Sequence, residues 1–325
     1  MALRQYRIPV FYGIAQNVTE NRQNDGESPD ACNMDMLGGR LSVAKGYVRE
    51  SAYAYPAPET VQRLYVWHRP QGRRLIVATQ RVVFVLDETA GEWKSIYDFG
   101  ADATGAQYDF LPVKIASTEY LLIASASARM AKWDGESAAA AAFGSAEGLS
   151  DIAVNFTELY YSRLFTAGDA NNPSRLYYSQ APGDTRTIEN WTAASESENV
   201  SGGFVDVGTD SDPITGLFAL SNQLLIFKRD SLYRLLGDRP GNFRIQPVNG
   251  TMQQPVQTAC VRAGDVLYFL TAGGMYSFDG QTVTVQADGA YALTSPVTTE
   301  GTRLPRSATT AATPPEFTTD NYSLV

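Results

Sequence analysis

Apolar and polar residues alternate in short runs along most of the chain, with turn-forming Gly, Asp, Asn and Ser between them. That is the signature of many short strands rather than helices. Five apolar runs stand out, opening at Leu75, Leu121, Leu164, Leu224 and Leu267. Their first leucines are 46, 43, 60 and 43 residues apart. A second strand follows each run after a short polar break, over 82–86, 129–133, 175–179, 232–236 and 275–278. Two of these end in an aromatic residue followed by Asp-Gly, Trp133-Asp-Gly and Phe278-Asp-Gly, and Asp-Gly suits the positive φ angles of tight turns. Upstream of each pair lies a further extended run, at 62–68, 108–116, 152–160, 213–220 and 256–261; downstream, 93–99, 243–248 and 283–286 supply an outer strand.

Four short strands repeated at a period near 43 predict an all-β chain, a β-propeller of five to six four-stranded blades, because a radial array covers edges that one flat sheet would expose. A sixth blade would be assembled from both chain ends. The single long interval places an inserted loop over 180–212, and the alanine run 138–142 is short enough for one helical turn. Outside the repeat, residues 1–50 are expected to form an extended N-terminal arm and 296–325, rich in Thr, Ala, Pro and Arg, an irregular C-terminal tail around a propeller over 51–295.

Composition narrows the functions this fold could serve. The net charge of −9 argues against a general nucleic-acid binder. A single histidine, His68, is too few for most triads and multi-histidine metal sites. Cys32 and Cys260 lack zinc-knuckle or redox spacing, and no apolar run reaches membrane-spanning length. Cofactors and metals are therefore not expected, nor is a membrane partner.

Local chemistry leaves a few candidates. Arg63, Arg69, Arg73, Arg74 and Arg81 fall in a stretch without an acid, either a basic rim facing DNA or an acidic partner, or an ordinary solvated hairpin. Asp206, Asp210 and Asp212 have oxygen spacing that calcium can use, but lack the twelve-residue pattern ending in Glu, so a solvated turn is favoured. Asp98, Asp109, Asp151, Asp206 and Asp265 lie near the expected inner-strand starts, where a propeller glycosidase would place its acid and base. Nothing in their spacing marks a pair. Trp67, Trp93 and Trp133 fall within strands and are expected to fill core. Trp191, in the long loop, is the candidate for an exposed contact.

The wording of several repeats resembles blades of propeller-type structural proteins of tailed bacteriophages. Arg163-Leu-Phe-Thr-Ala-Gly with Asn172-Pro-Ser-Arg-Leu-Tyr-Tyr-Ser carries the likeness, as do Gln223-Leu-Leu-Ile-Phe-Lys-Arg-Asp-Ser-Leu-Tyr-Arg, Gly264-Asp-Val-Leu-Tyr-Phe-Leu and Gly274-Met-Tyr-Ser-Phe-Asp-Gly. Gly13-Ile-Ala, Ser28-Pro-Asp-Ala-Cys-Asn-Met-Asp and Gly38-Gly-Arg-Leu-Ser-Val-Ala-Lys-Gly resemble the arm leading into such propellers. The resemblance spans about 10–285 and implies a virion protein of the tail or neck, made in the host cytoplasm. Such a subunit, of nozzle or hub type, would stand in a homo-oligomeric ring around the DNA channel, touching portal, adaptor or other tail proteins, with DNA passing and no sequence read. The sequence shows no obvious extra platform or fibre-docking domain of the kind larger nozzle proteins carry, so a tail-hub or closure role is equally compatible. The expected role is assembly without catalysis. The alternatives are a receptor- or glycan-binding propeller at the tail tip and, behind it, a propeller glycosidase.

Overall fold

The five leucine-led runs fall on the second strands of five separate four-stranded antiparallel sheets, each a meander in chain order. This is a computed structural model; it describes residues 12–14, 22, 26–28, 34–35, 42–43, 60–100, 107–125, 128–144, 149, 152–248, 255–271 and 274–285. Blade 1 runs Arg63–Arg69, Gly72–Ala78, Val82–Asp87 and Glu92–Asp98. In blade 2 the strands are Tyr108–Ile115, Thr118–Ser125, Ala128–Trp133 and Ala141–Ala142. Blade 3 has Phe156–Tyr160, Arg163–Ala167, Arg175–Tyr178 and Gly203–Asp206. Ile214–Leu220, Gln223–Lys228, Leu232–Leu236 and Arg244–Pro247 make blade 4. Pro255–Ala263, Val266–Thr271, Gly274–Phe278 and Val283–Val285 make blade 5.

Consecutive inner strands touch from blade 1 through blade 5, the arrangement of a β-propeller. Side chains of a strand alternate between its two faces, so a strand covered on both sides must be apolar throughout. This is why Leu121, Leu122, Ile123 and Ala124 are all buried in succession, as are Leu224, Leu225, Ile226 and Phe227. The core is accordingly divided into slabs between neighbouring blades. Trp67, Ile76 and Val85 meet Phe110, Leu121 and Ile123 between blades 1 and 2, and Trp67 lies 6.1 Å from Trp133. Leu122 and Met130 meet Leu164 and Tyr177 between blades 2 and 3; Phe165 and Leu176 meet Leu217 and Ile226 between blades 3 and 4; and Leu225 and Phe227 meet Leu267 and Phe269 between blades 4 and 5.

Two outer strands lie where the sequence suggested otherwise. Ala141–Ala142, expected as part of a helical turn, instead pairs with Ala131 and Lys132, because the third strand of blade 2 has ladder groups open at that edge. Gly203–Asp206 sits inside the stretch expected to be loop and pairs with 175–178. The true insertion, 179–202, therefore joins the third and outer strands of blade 3. That blade's inner strand opens at Phe156, four residues after the expected 152.

The expected tail, the expected sixth blade and most of the expected arm lie outside the described residues. Within the arm, Gly13–Ile14 pairs with Glu27–Ser28 in parallel and Met34–Asp35 with Ser42–Val43 antiparallel.

Candidate functional site

Near the axis, inner strands bring ionisable groups together that are remote in sequence. Asp109 on blade 2 accepts from the Thr157 backbone N–H at 2.9 Å and hydroxyl at 2.7 Å on blade 3, and its other oxygen lies 3.5 Å from Arg63 on blade 1. Arg63 also donates to the Tyr108 carbonyl. Asp109 thus stitches three blades and is committed to that task. Glu158, one residue past Thr157, sits where blades 2 to 5 converge. Burial pushes its carboxyl up to about 7; the Ala219 and Leu159 backbone N–H groups pull against that shift, as does Arg262, while Asp109 adds to it. No sequence signal had marked Glu158.

The five arginines do not form one rim. Strand register separates Arg63 and Arg81, at the end of blade 1 where the inner strand begins, from Arg69, Arg73 and Arg74 at its other end. Seven residues of strand span about 20 Å. Acids from outside the stretch meet most of this charge. Glu136 of blade 2 takes Arg69 at 2.7 Å and Arg74 at 3.1 Å, and Glu88 takes Arg73 at 3.4 Å. Arg69 also lies 4.8 Å from the Trp67 ring centre. Gly135 suits the turn beside it: its φ is +81°, where other residues are strained, and a Cβ there would displace the Arg69 guanidinium.

Trp191 is not an exposed contact. It is 5% exposed and packs with Val113, Met130, Phe143, Leu164 and Ile188 in the slab between blades 2 and 3. The insertion folds back over its own blade because three of its carbonyls converge on buried Arg163. The guanidinium donates to Ser179 at 2.6 Å, Asn199 at 2.5 Å and Ser201 at 2.8 Å. Gly202 closes the loop against Trp191, where a Cβ would come within 2.7 Å of the tryptophan backbone.

Beside this fold-back a cavity of about 550 Å³ opens at the edge of blade 3, within the size range of small-molecule sites. One wall is a chain of polar contacts. Asp206 accepts from Arg175 Nε at 2.9 Å; the Tyr177 hydroxyl donates to Asp169 at 2.6 Å, and the Asn172 amide donates to the same oxygen at 2.7 Å. Burial opposes ionisation of Asp169, but the donors from Tyr177, Asn172 and the backbone outweigh it and hold the carboxyl below its ordinary range. Burial and Asp169 push the Tyr177 hydroxyl up to about 12, so it remains a donor. Phe204 projects beside this wall, 53% exposed, with the Arg175 guanidinium 3.8 Å from its ring centre.

The remaining candidates are dispersed. Asp98 and Asp206 close outer strands and Asp265 lies in an inner-to-second turn, so of the described aspartates named as a possible acid–base set only Asp109 is on an inner strand; Asp151 lies outside the described residues. The loop carboxylates have protein donors: Asp210 takes the Ser174 hydroxyl, and Asp212 takes the Ser231 hydroxyl and the Asp230 backbone N–H. His68 is exposed. Burial pushes the Cys260 thiol up to about 12, which keeps it protonated; Cys32 lies outside the described residues.

No protein-family model matches the sequence, and neither does any curated protein. Among solved structures, the N-terminal domain of Nup159 is similar at 12% identity and a TM-score of 0.42, over 71% of this chain and 64% of that one, so the chain spans under two thirds of it. BBS1N, solved in complex with ARL6DN, is similar at 12% identity and a TM-score of 0.45, over 76% of this chain and 73% of that one. Likeness at this level carries no argument about function; the propeller rests on the sheets and their order.

Proposed function

We propose that this chain is a structural component of a tailed-phage virion, a nozzle- or hub-type ring protein of the tail or neck that acts by protein–protein assembly. The observation that carries the reading is apolar surface on the first and last of the described blades. Tyr65 and Trp67 pack toward blade 2, so alternation turns Leu64 and Val66 the other way, where they are 49% and 41% exposed. On blade 5, Cys260 packs toward blade 4 and its neighbour Val261 faces away, 63% exposed. Apolar side chains facing outward from the first and last described blades suit contacts with neighbouring subunits.

Two further features support it: the resemblance of blades 3 to 5 to propeller structural proteins of tailed phages, and the internal pairing of Arg69, Arg73 and Arg74 in an acidic chain, which suits a channel wall that lets DNA pass. Quantitative mass spectrometry of purified virus particles from the source tests the proposal. A fixed stoichiometric ratio to the portal protein is the expected result; absence of the chain from particles overturns it.

A further inference from the structure

The cavity on blade 3 has the chemistry of a saccharide site, and we infer that it binds a neutral sugar unit by stacking one ring face on Phe204 and directing hydroxyls at the polar wall beside it. This inference is independent of the virion reading, since it concerns what the isolated chain binds.

Three observations narrow the ligand class. First, the formal charges of the wall are already answered. Arg175 is paired with Asp206 through two contacts, 2.9 Å and 3.4 Å, and Asp169 takes donors from Tyr177, from Asn172 and from the Asn171 backbone N–H at 2.9 Å. An ionic ligand would have to break one of these pairs to gain a partner, so a neutral one is favoured. Second, the cavity is lined by fixed polar groups, and a purely apolar ligand would strip water from the exposed Asn171 amide without replacing it. Tyr177, Asp169 and Asn172 hold one another in place, and Gly202 pins the outer strand against the insertion. Third, Phe204 offers its ring to solvent at the mouth of the cavity. Arg175 lies over one side at 3.8 Å and the side chain is still 53% exposed, leaving aromatic surface open to a ligand.

A pyranose meets all three conditions. Its C–H face is apolar and matches an aromatic ring, while its hydroxyls both donate and accept and carry no charge. The exposed side chain of Asn171 stands at the same cavity with an amide able to serve either role. The volume of about 550 Å³ leaves room for a sugar unit together with bridging water.

The test uses the full chain on a printed array of neutral hexose and N-acetylhexosamine oligosaccharides, with sulfated and sialylated oligosaccharides beside them, followed by titration of the strongest neutral binder in solution. Binding to a neutral oligosaccharide is expected. Phe204→Ala should weaken it by about tenfold or more, the worth of one aromatic stack, at an unchanged melting temperature. Asn171→Ala, at an exposed side chain, should weaken it as well and supplies a second variant. The inference is overturned if the chain binds no neutral oligosaccharide at about 10 mM, if it prefers the charged ones, or if both variants bind as the parent does. Particle composition has no bearing on any of these outcomes.

Discussion

Glu158 shows how a single side chain can set the pH response of a propeller. In the folded chain its carboxyl holds a proton up to about pH 7, whereas an unperturbed glutamate releases it near 4.5. Between those values the folded state binds more protons than the unfolded state, so this group's contribution to stability is fully present below 4.5 and is lost as pH rises through about 7. The size of the loss is on the order of 3 kcal/mol. Glu158→Gln removes the titration while keeping the shape and a hydrogen-bonding oxygen. Thermal melts recorded across pH should show the parent losing stability relative to the variant between about 4.5 and 7, with a constant gap above that range. A gap that does not change with pH would mean that Glu158 is ionised throughout.

At the scale of the element, the insertion of blade 3 is held by a cation rather than by a ladder. Arg163 opens the fully buried second strand of blade 3, and its guanidinium supplies donors to carbonyls of the insertion. Arg163→Met keeps the bulk and leaves Ser179, Asn199 and Ser201 without that donor, a cost of about 3 kcal/mol or more. Calorimetry checks the loss of stability, and limited proteolysis should find the first new cut within 180–202. Trp191→Ala is expected to cost a similar amount through the lost packing.

These are also the features least legible in sequence. The second strands announced themselves through continuous apolar runs such as 121–124, because burial on both faces removes every polar option. Ala141–Ala142 carried no such mark: an outer strand of two residues needs only an open edge to pair with. Gly203–Asp206 was hidden by its composition, since glycine and aspartate belong to loops by propensity and only the pairing partner at 175–178 makes that segment a strand. Trp191 was misplaced for a related reason. A loop sequence does not disclose that it folds back, and the agent of that return, Arg163, looks like any charged residue in a strand. Blade period was written locally; the convergence of Asp109, Glu158 and Arg262 at the axis depends on bringing distant strands together.

For the whole molecule, the arrangement of the core matters more than its size. Each sheet is contiguous in sequence, and each apolar slab joins only two successive blades. Asp109 and Glu158 are the exceptions, reaching across several inner strands at once. The inserted loop adds its own material to the slab between blades 2 and 3 through Trp191 and Ile188, so that interface is wider than a four-stranded meander alone would make it. Architecture of this kind behaves as a short linear array in which neighbours support neighbours.

That slab-by-slab core has a mechanical consequence. Held at residues 60 and 285 and stretched, the chain should yield as a series of discrete ruptures, each releasing one blade, or about 150 Å of contour for 43 residues. The terminal blades, supported by a described slab on one side only, should let go first, and blade 3, clamped by its insertion, should resist longest. A single-molecule trace with one undivided rupture would show instead that the axial contacts bind all five blades into one unit. In a sawtooth, the longest step would belong to blade 3, because its insertion stores extra length behind the Arg163 clasp.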